Sequence, residues 1–431
     1  MKVEDKARKA YAASILLANA SAEDKNKALE AVAKAVNTKR AEILAANEKD
    51  VAGAEKLCER GSLSKALVER LKLTDKKIDG IVASVISVAH LDDPVGRVLS
   101  KTELDAGLIL TKKTVPIGVI GTVFESRPDV VPQIASLALK SGNAVIMKGG
   151  SEALSTNKVL YGIIRDASEA ADDIPDGWLQ FIETRGDVSE LLGLDEFVSL
   201  VIPRGSNAFV RHVMDNTRIP VLGHADGICH VFVDRDADLS MAEEICFDAK
   251  TQYPAVCNAM ETMLVDEAVA ENFLPGMCER FKAAGVELRG DDKTRGIVSG
   301  IKHASDADWV TEYNDLILSV KVVSGVDEAI EHVNMYGSHH TDAIVTGNKE
   351  TAERFLDFVD SGCVFHNCST RFSDGFRFGL GAEVGISTNK IHARGPVGLE
   401  GLVIYKWLLS GSGQPVKEYA EGKRDFTHKA L

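Results

Sequence analysis

The residues that could do chemistry in this chain are few and gathered in short segments. Cys257 and Asn258 lie in the segment 251–262, after a helical stretch and a turn broken by Pro254, and just before the apolar run 263–265. A cysteine on such a loop can present its sulfur to a cleft, where neighbouring backbone N–H groups favour both a thiolate and a developing oxyanion. The alternative is a buried structural thiol, a common fate of cysteine. A second group spans 115–151. There an apolar strand ends in Glu125, Ser126, Arg127 and Pro128, a helix crosses over, and the next strand delivers Lys148, Gly149, Gly150 and Ser151 at its carboxyl end. Open α/β sheets bind ligands at that edge. Lys148 can donate to ribose hydroxyls and a helix beginning near Ser151 offers N–H groups to an anion; a solvated lysine beside a turn is the alternative. Ser206, after Pro203, Arg204 and Gly205, serves equally as a helix cap or as a pyrophosphate contact. Cys363, His366 and Cys368 have the residue types of a metal site, but on one extended strand such side chains diverge to opposite faces, so no metal is assigned to them.

The elements that must position these groups are legible from periodicity. Apolar residues recur at helical spacing at Leu29, Val32, Ala33 and Val36, and again at Ile78, Val82, Val85 and Ala89, with Ser21 and Thr74 placed to cap the respective helices. From about 97 to 117 the pattern alternates around a turn at 105–107, predicting a hairpin arm. Short apolar strands at 117–124, 144–147, 179–182 and 198–202 then alternate with helix-length segments, which implies a parallel sheet covered on both faces. The run 229–233 is expected to close that unit, a second α/β unit follows over 235–397, and the tail carries a strand-like run at 401–409.

The chain has 431 residues, 50 of them basic and 64 acidic, for a net charge of −14, which argues against binding a nucleic-acid backbone. With 45% hydrophobic and 26% charged residues it has the composition of a globular protein long enough for two or three domains. No apolar run approaches the roughly 20 residues of a membrane span, and residues 1–9 are charged without a following apolar block, so a cytoplasmic location is expected. Seven cysteines, odd in number and sparse, suit free thiols. The generic phosphate-loop, dinucleotide and zinc-protease motifs are absent.

Longer blocks carry a resemblance. The segment 329–344, with His332, Asn334, Tyr336, Gly337, Ser338, His340, Thr341 and Asp342, resembles the aldehyde dehydrogenase superfamily, as do 125–128, 250–252, 256–261 and 390–396. The likeness covers nearly the whole chain, with a mild departure at Val333, where isoleucine is usual. It implies an aldehyde dehydrogenase-like α/β fold: a Rossmann-type NADP-binding domain over 1–96 and 118–234, a catalytic α/β domain over 235–397, and an oligomerisation arm and tail over 97–117 and 398–431. The activity it implies is NADPH-dependent reduction of L-glutamate 5-phosphate to L-glutamate 5-semialdehyde with release of phosphate, in proline biosynthesis. Cys257 would be the nucleophile that forms a thioester, with Asn258 beside it and Arg127 at or near the place of the superfamily's oxyanion asparagine. Lys148, Gly149, Gly150, Ser151, Ser206 and Glu312 would hold NADP(H). Burying the charges of a glutamyl group unpaired costs several kcal/mol, which makes Arg371, with Ser369 and Thr370, the candidate for its carboxylate end.

Two departures from the superfamily refine this expectation. Hydrolytic aldehyde dehydrogenases place a water-activating glutamate where this chain has 221–225, Val-Leu-Gly-His-Ala, and a reductase of an acyl phosphate has no use for one. NAD-preferring relatives commonly carry a carboxylate three residues after the lysine, where this chain has Ser151, so NADP(H) is expected. The expected partners are further copies of the chain, joined through the arm and the strand 401–409, and the upstream glutamate kinase; neither nucleic acid nor membrane is expected. The rival readings are an oxidising aldehyde dehydrogenase, half of a bifunctional kinase-reductase, and a catalytically silent homologue.

Overall fold

The computed structural model describes residues 1–63, 65–125, 127–171 and 173–431, so Ser126 of the 125–128 block lies outside the described residues. The chain forms two compact units: Met1–Val221 with Leu380–Gly385 and Val397–Leu431, and Leu222–Gly379 with Ile386–Pro396. Among the described residues no helix is long and apolar enough to cross a membrane.

The first unit opens with helices whose starts follow their caps. The Ser21 hydroxyl accepts the Asp24 N–H while the Asp24 carboxylate takes the Ser21 N–H, opening helix Ala22–Thr38, and Thr74 accepts the Lys77 N–H to open Asp75–His90. Leu29, Val32, Ala33 and Val36 are all buried, as the spacing requires. A four-stranded parallel sheet follows in the order Leu179–Phe181, Ala144–Lys148, Val119–Phe124, Leu200–Arg204. Every residue of its central strand Val119–Phe124 is buried, as befits a parallel strand covered on both faces.

The expected hairpin is Val98–Asp105 paired with Leu108–Pro116. The terminal strand Val403–Ser410 pairs antiparallel with Leu108–Pro116 of the same chain, so the arm and tail bond to one another within one chain. That pairing leaves Tyr405 and Trp407 about half exposed, at 51% and 54%, on a strand with no outer neighbour among the described residues.

The second unit holds seven strands, all parallel, in the order Lys302–His303, Glu287–Gly290, Ile317–Val323, Met260–Asp266, Cys229–Val233, Thr341–Val345, Cys363–His366. Cys229–Val233 therefore does not close the first unit, as its sequence neighbours suggest. It bonds on one side to Met260–Asp266 and on the other to Thr341–Val345, and all five of its residues are buried. A strand that is apolar but for His230 fits any parallel sheet, and periodicity cannot assign it to one sheet over another.

Candidate active site

Cys257 stands on the turn between helix Leu239–Thr251 and strand Met260–Asp266, half-buried. The two ends of that turn are clasped. Lys250, in the last turn of the helix, puts its ammonium 2.5 Å from the carboxylate of Glu261 at the start of the strand, both side chains buried. Glu261 also accepts the Asn314 N–H at 3.2 Å. Burial pushes the Glu261 carboxyl up to about 7 and the Lys250 ammonium down, and their mutual attraction offsets part of each shift.

From the other side Gly227 passes directly against the turn. A Cβ on Gly227 would lie 2.2 Å from the Cys257 carbonyl oxygen and 2.4 Å from its Cα, so only glycine fits. The Cys229 thiol donates to the same carbonyl at 3.2 Å. Five other thiols are poor nucleophiles by position: burial raises Cys229, Cys246, Cys278, Cys363 and Cys368 above the usual range.

The segment after strand Cys363–His366 is tied to the Cys257 turn. The Thr370 hydroxyl donates to the Asn258 carbonyl at 2.7 Å, and the Asn258 amide nitrogen donates to the Ser373 carbonyl at 2.8 Å. The Ser369 hydroxyl accepts the Arg371 N–H at 3.3 Å. The Thr370 hydroxyl and the Asn258 amide nitrogen thus hold the two segments together, Ser369 braces its own segment, and the Asn258 side-chain oxygen is buried with no hydrogen-bond partner among the described residues. Arg371 donates through Nε to Gln252 at 3.0 Å, and a guanidinium has further N–H donors of the kind that meet anions. Burial and the neighbouring Arg377 lower its affinity for a proton, while Cys257 raises it. Two clustered guanidiniums beside a thiol suit an anionic ligand.

The block 329–344 builds the frame behind this site. The Ser338 hydroxyl accepts the Ile228 N–H at 2.8 Å, and Asp342, wholly buried, accepts from the His230 backbone N–H at 2.8 Å and from its Nδ1 at 2.9 Å. Asn334 holds the Phe358 carbonyl and the Asp360 N–H, and Arg394 with Lys390 grips the Asp360 carboxylate, holding it down at about 2. The residue types of this block are thus the means of fixing 227–230 and 358–363.

Two histidines that residue spacing did not single out border the sulfur. His224 and His340 stand with ring centroids 4.9 Å apart, and ligand atoms of His224, His340 and Cys257 lie within 4.8 Å of one another. His224 comes from the 221–225 stretch that lacks the hydrolytic glutamate, and His340 from the 329–344 block. Cys363, His366 and Cys368 form no such cluster among the described residues, and the His366 ring bonds the Thr346 carbonyl.

In the first unit a cavity of about 690 Å³ is lined by Phe124, Glu125, Lys148, Gly150, Ser151, Glu152, Arg185, Ser206 and His212, among others. Such a volume falls in the range of cofactor and small-molecule sites. Lys148 stands at the end of its strand, with burial lowering its ammonium. Ser151 begins a single 3-10 turn, and the α-helix proper starts at Leu154. Gly149 packs where a Cβ would meet Asn157 at 2.1 Å and the Phe124 ring at 3.0 Å, which lets the strand end close on that helix. Ser206 caps helix Asn207–Asp215 without a side-chain bond, and its N–H donates to Glu125 at 3.0 Å. Arg185, at the start of helix Arg185–Leu191, is a second cation in this cavity that sequence spacing did not single out. Arg127 is half exposed and paired with Asp129 at 3.2 Å. Glu312 belongs to the second unit, in the loop before strand Ile317–Val323, near enough to raise the Glu261 carboxyl.

A parallel-sheet unit with a lysine and a cavity at its strand ends, and a second parallel-sheet unit with a cysteine on a clasped turn, define an α/β fold of two units. The model of the aldehyde dehydrogenase family matches residues 1–316. Relatives named gamma-glutamyl phosphate reductase include one from Natronomonas pharaonis, 57% identical over 99% of this chain and 97% of its own length. Another, from Methanococcoides burtonii, is 55% identical over 100% of this chain and 97% of its own length. The crystal structure of gamma-glutamyl phosphate reductase from Thermotoga maritima superposes with a TM-score of 0.93 at 45% identity, covering 96% of this chain and all of that one. The chain belongs to the aldehyde dehydrogenase family, and within it to the gamma-glutamyl phosphate reductases; it is an oxidoreductase.

Proposed function

We propose that the enzyme reduces L-glutamate 5-phosphate to L-glutamate 5-semialdehyde with NADPH, releasing phosphate, through a thioester on Cys257, as a step of proline biosynthesis. The observation that carries this reading is the Cys257 turn, clasped at its base by Lys250 and Glu261, closed behind by Gly227, and flanked by Arg371. The Cys257 thiolate attacks the acyl phosphate carbonyl, a sulfur–carbon bond forms, and the carbon–oxygen bond to phosphate breaks. The negative oxygen of that step is met by the Cys257 N–H, and Arg371 holds the carboxylate end of the glutamyl group. Nicotinamide, when bound, supplies the hydride that takes the thioester to the aldehyde.

The cavity beside Lys148 fits such a cofactor in size and in its donors: Lys148 for ribose hydroxyls, Ser206 and the Ser151 turn for pyrophosphate, and Lys148 with Arg185 as positive charge for a 2′-phosphate. Arg127 remains the candidate for a phosphate or oxyanion contact. The first unit is then the cofactor-binding part, the second the catalytic part, and 97–117 with 398–431 the oligomerisation piece. Tyr405, Trp407 and Leu409, exposed on an edge strand with no outer neighbour among the described residues, support a homo-oligomer. The same reading makes the enzyme cytoplasmic and supplied by the upstream glutamate kinase.

The test runs the reaction backwards. With L-glutamate 5-semialdehyde supplied, NADP⁺ reduction should require inorganic phosphate, and NADP⁺ should be preferred to NAD⁺. Reduction that proceeds equally without phosphate would make the enzyme a hydrolytic dehydrogenase instead, and a clear NAD⁺ preference would overturn the cofactor assignment.

A further inference from the structure

We propose that Cys257, His224 and His340 form a binding site for a soft divalent cation, best matched by Zn²⁺, whose occupancy withdraws the sulfur and holds the enzyme inactive until the ion is removed. Among the described residues this is the one cluster of three such side chains with its ligand atoms mutually within reach, 4.8 Å at most. Tetrahedral Zn²⁺ bound to two imidazoles and a thiolate needs ligand atoms roughly 3.4 to 3.7 Å apart, given zinc bonds of about 2.0 to 2.3 Å. Rotation of the half-buried Cys257 and His224 side chains can supply the difference.

Both imidazoles are held at Nδ1, His224 by a carbonyl and His340 by a hydroxyl. His224 bonds the Ile386 carbonyl through Nδ1 at 3.0 Å, and since a carbonyl only accepts, Nδ1 carries the proton and Nε2 keeps its lone pair. This is the carbonyl-to-histidine orientation found behind metal ligands. His340 is fully buried and its Nδ1 is engaged by the Thr341 hydroxyl at 2.8 Å. Its Nε2 is buried and has no hydrogen-bond partner. In the tautomer whose Nδ1 donates to the Thr341 hydroxyl, Nε2 presents a lone pair with no partner among the described residues, and a cation bound also to Cys257 would occupy it.

On binding, Cys257 gives its thiol proton to solvent and its sulfur to the metal, so no redox change occurs. The three protein ligands leave a fourth position for water, the pattern of an exchangeable site. Inhibition follows from the reading of Cys257 as the nucleophile; binding itself does not depend on it.

The full-length protein, stripped with EDTA, is titrated with Co²⁺, which takes the same ligands and reports a thiolate by its near-ultraviolet charge-transfer absorption. One Co²⁺ per chain is expected, with that absorption lost in Cys257→Ser and Zn²⁺ displacing the Co²⁺. His340→Gln and, at the half-buried position, His224→Gln should each weaken Zn²⁺ by at least about 100-fold, the upper end for loss of even an orienting partner. Turnover should fall in proportion to Zn²⁺ occupancy and return with EDTA. A thiolate absorption that persists in Cys257→Ser, no uptake at micromolar ion, or full activity at full occupancy would each overturn the proposal. If Cys257 is not the nucleophile, Cys257→Ser will turn over substrate while still losing the absorption, which separates the two failures.

Discussion

Replacing Gly227 by alanine tests whether the position of the Cys257 turn controls turnover. The added Cβ would lie 2.2 Å from the Cys257 carbonyl oxygen, where ordinary contact begins near 3.4 Å, a shortfall of about 1.2 Å. The neighbour is backbone, and the turn is clasped at its base by Lys250 and Glu261, so the overlap is relieved by moving the sulfur-bearing residue itself. A misplacement of about 1 Å in a reacting group costs on the order of 100-fold, equivalent to about 2.7 kcal/mol of barrier. Overpacking of this kind also takes about 1–3 kcal/mol from stability. The assay is phosphate-dependent NADP⁺ reduction, read beside the rate of Cys257 alkylation and a urea midpoint. Gly162→Ala, within helix Leu154–Glu169 and with nothing inside 4 Å of its new Cβ, serves as the silent control. Gly227→Ala with wild-type kcat would refute the reasoning, because the turn would then either yield freely or not position the reacting sulfur.

Three further outcomes follow from the second unit. Lys250→Met leaves Glu261 buried without its partner and should cost about 3–5 kcal/mol of stability, most of it recovered in Lys250→Met/Glu261→Leu; a urea titration of both variants checks it. Burial, with His230 and Lys321 adding to it, holds His332 neutral down to about 2, well below its ordinary 6.5. Below about pH 6.5 the unfolded chain therefore binds a proton that the folded chain does not. The stability from keeping His332 neutral is full above that pH and falls by about 1.4 kcal/mol per unit as pH drops toward 2. His332→Phe should flatten the fall in urea midpoint between pH 7 and 5, and an unchanged slope counts against the assignment. Arg371→Ala should raise KM for the semialdehyde about tenfold or more, the worth of a hydrogen bond to a charged group, while changing kcat less; an unchanged KM shifts the carboxylate contact to another cation.

Much of this was legible in the sequence because local chemistry fixed it. Ser21 and Thr74 cap the helices they precede, the arm pairs as its alternation implies, and Cys257 stands on the turn that Pro254 and the following apolar run delimit. What could not be read depends on which segments the fold brings together. The strand Cys229–Val233 is apolar but for His230, so nothing in its own pattern distinguishes one parallel sheet from the next. The Lys250–Glu261 clasp joins residues 11 apart across a turn, and charged residues are ordinarily exposed. His224 and His340 lie 33 and 83 residues from Cys257, and only the parallel sheet and the loop from 222 gather them around one sulfur. Ser369 and Thr370 have the residue types of ligand donors, yet their hydroxyls are spent on the Arg371 N–H and the Asn258 carbonyl.

The central claim is that Cys257 carries the acyl group. Enzyme mixed with L-glutamate 5-semialdehyde and NADP⁺ in the absence of phosphate, quenched in acid and digested, should yield a glutamyl thioester on the peptide containing Cys257, and the adduct should vanish when phosphate is added before the quench. An adduct on another cysteine, or phosphate-dependent turnover retained by Cys257→Ser with no adduct at all, would contradict the account.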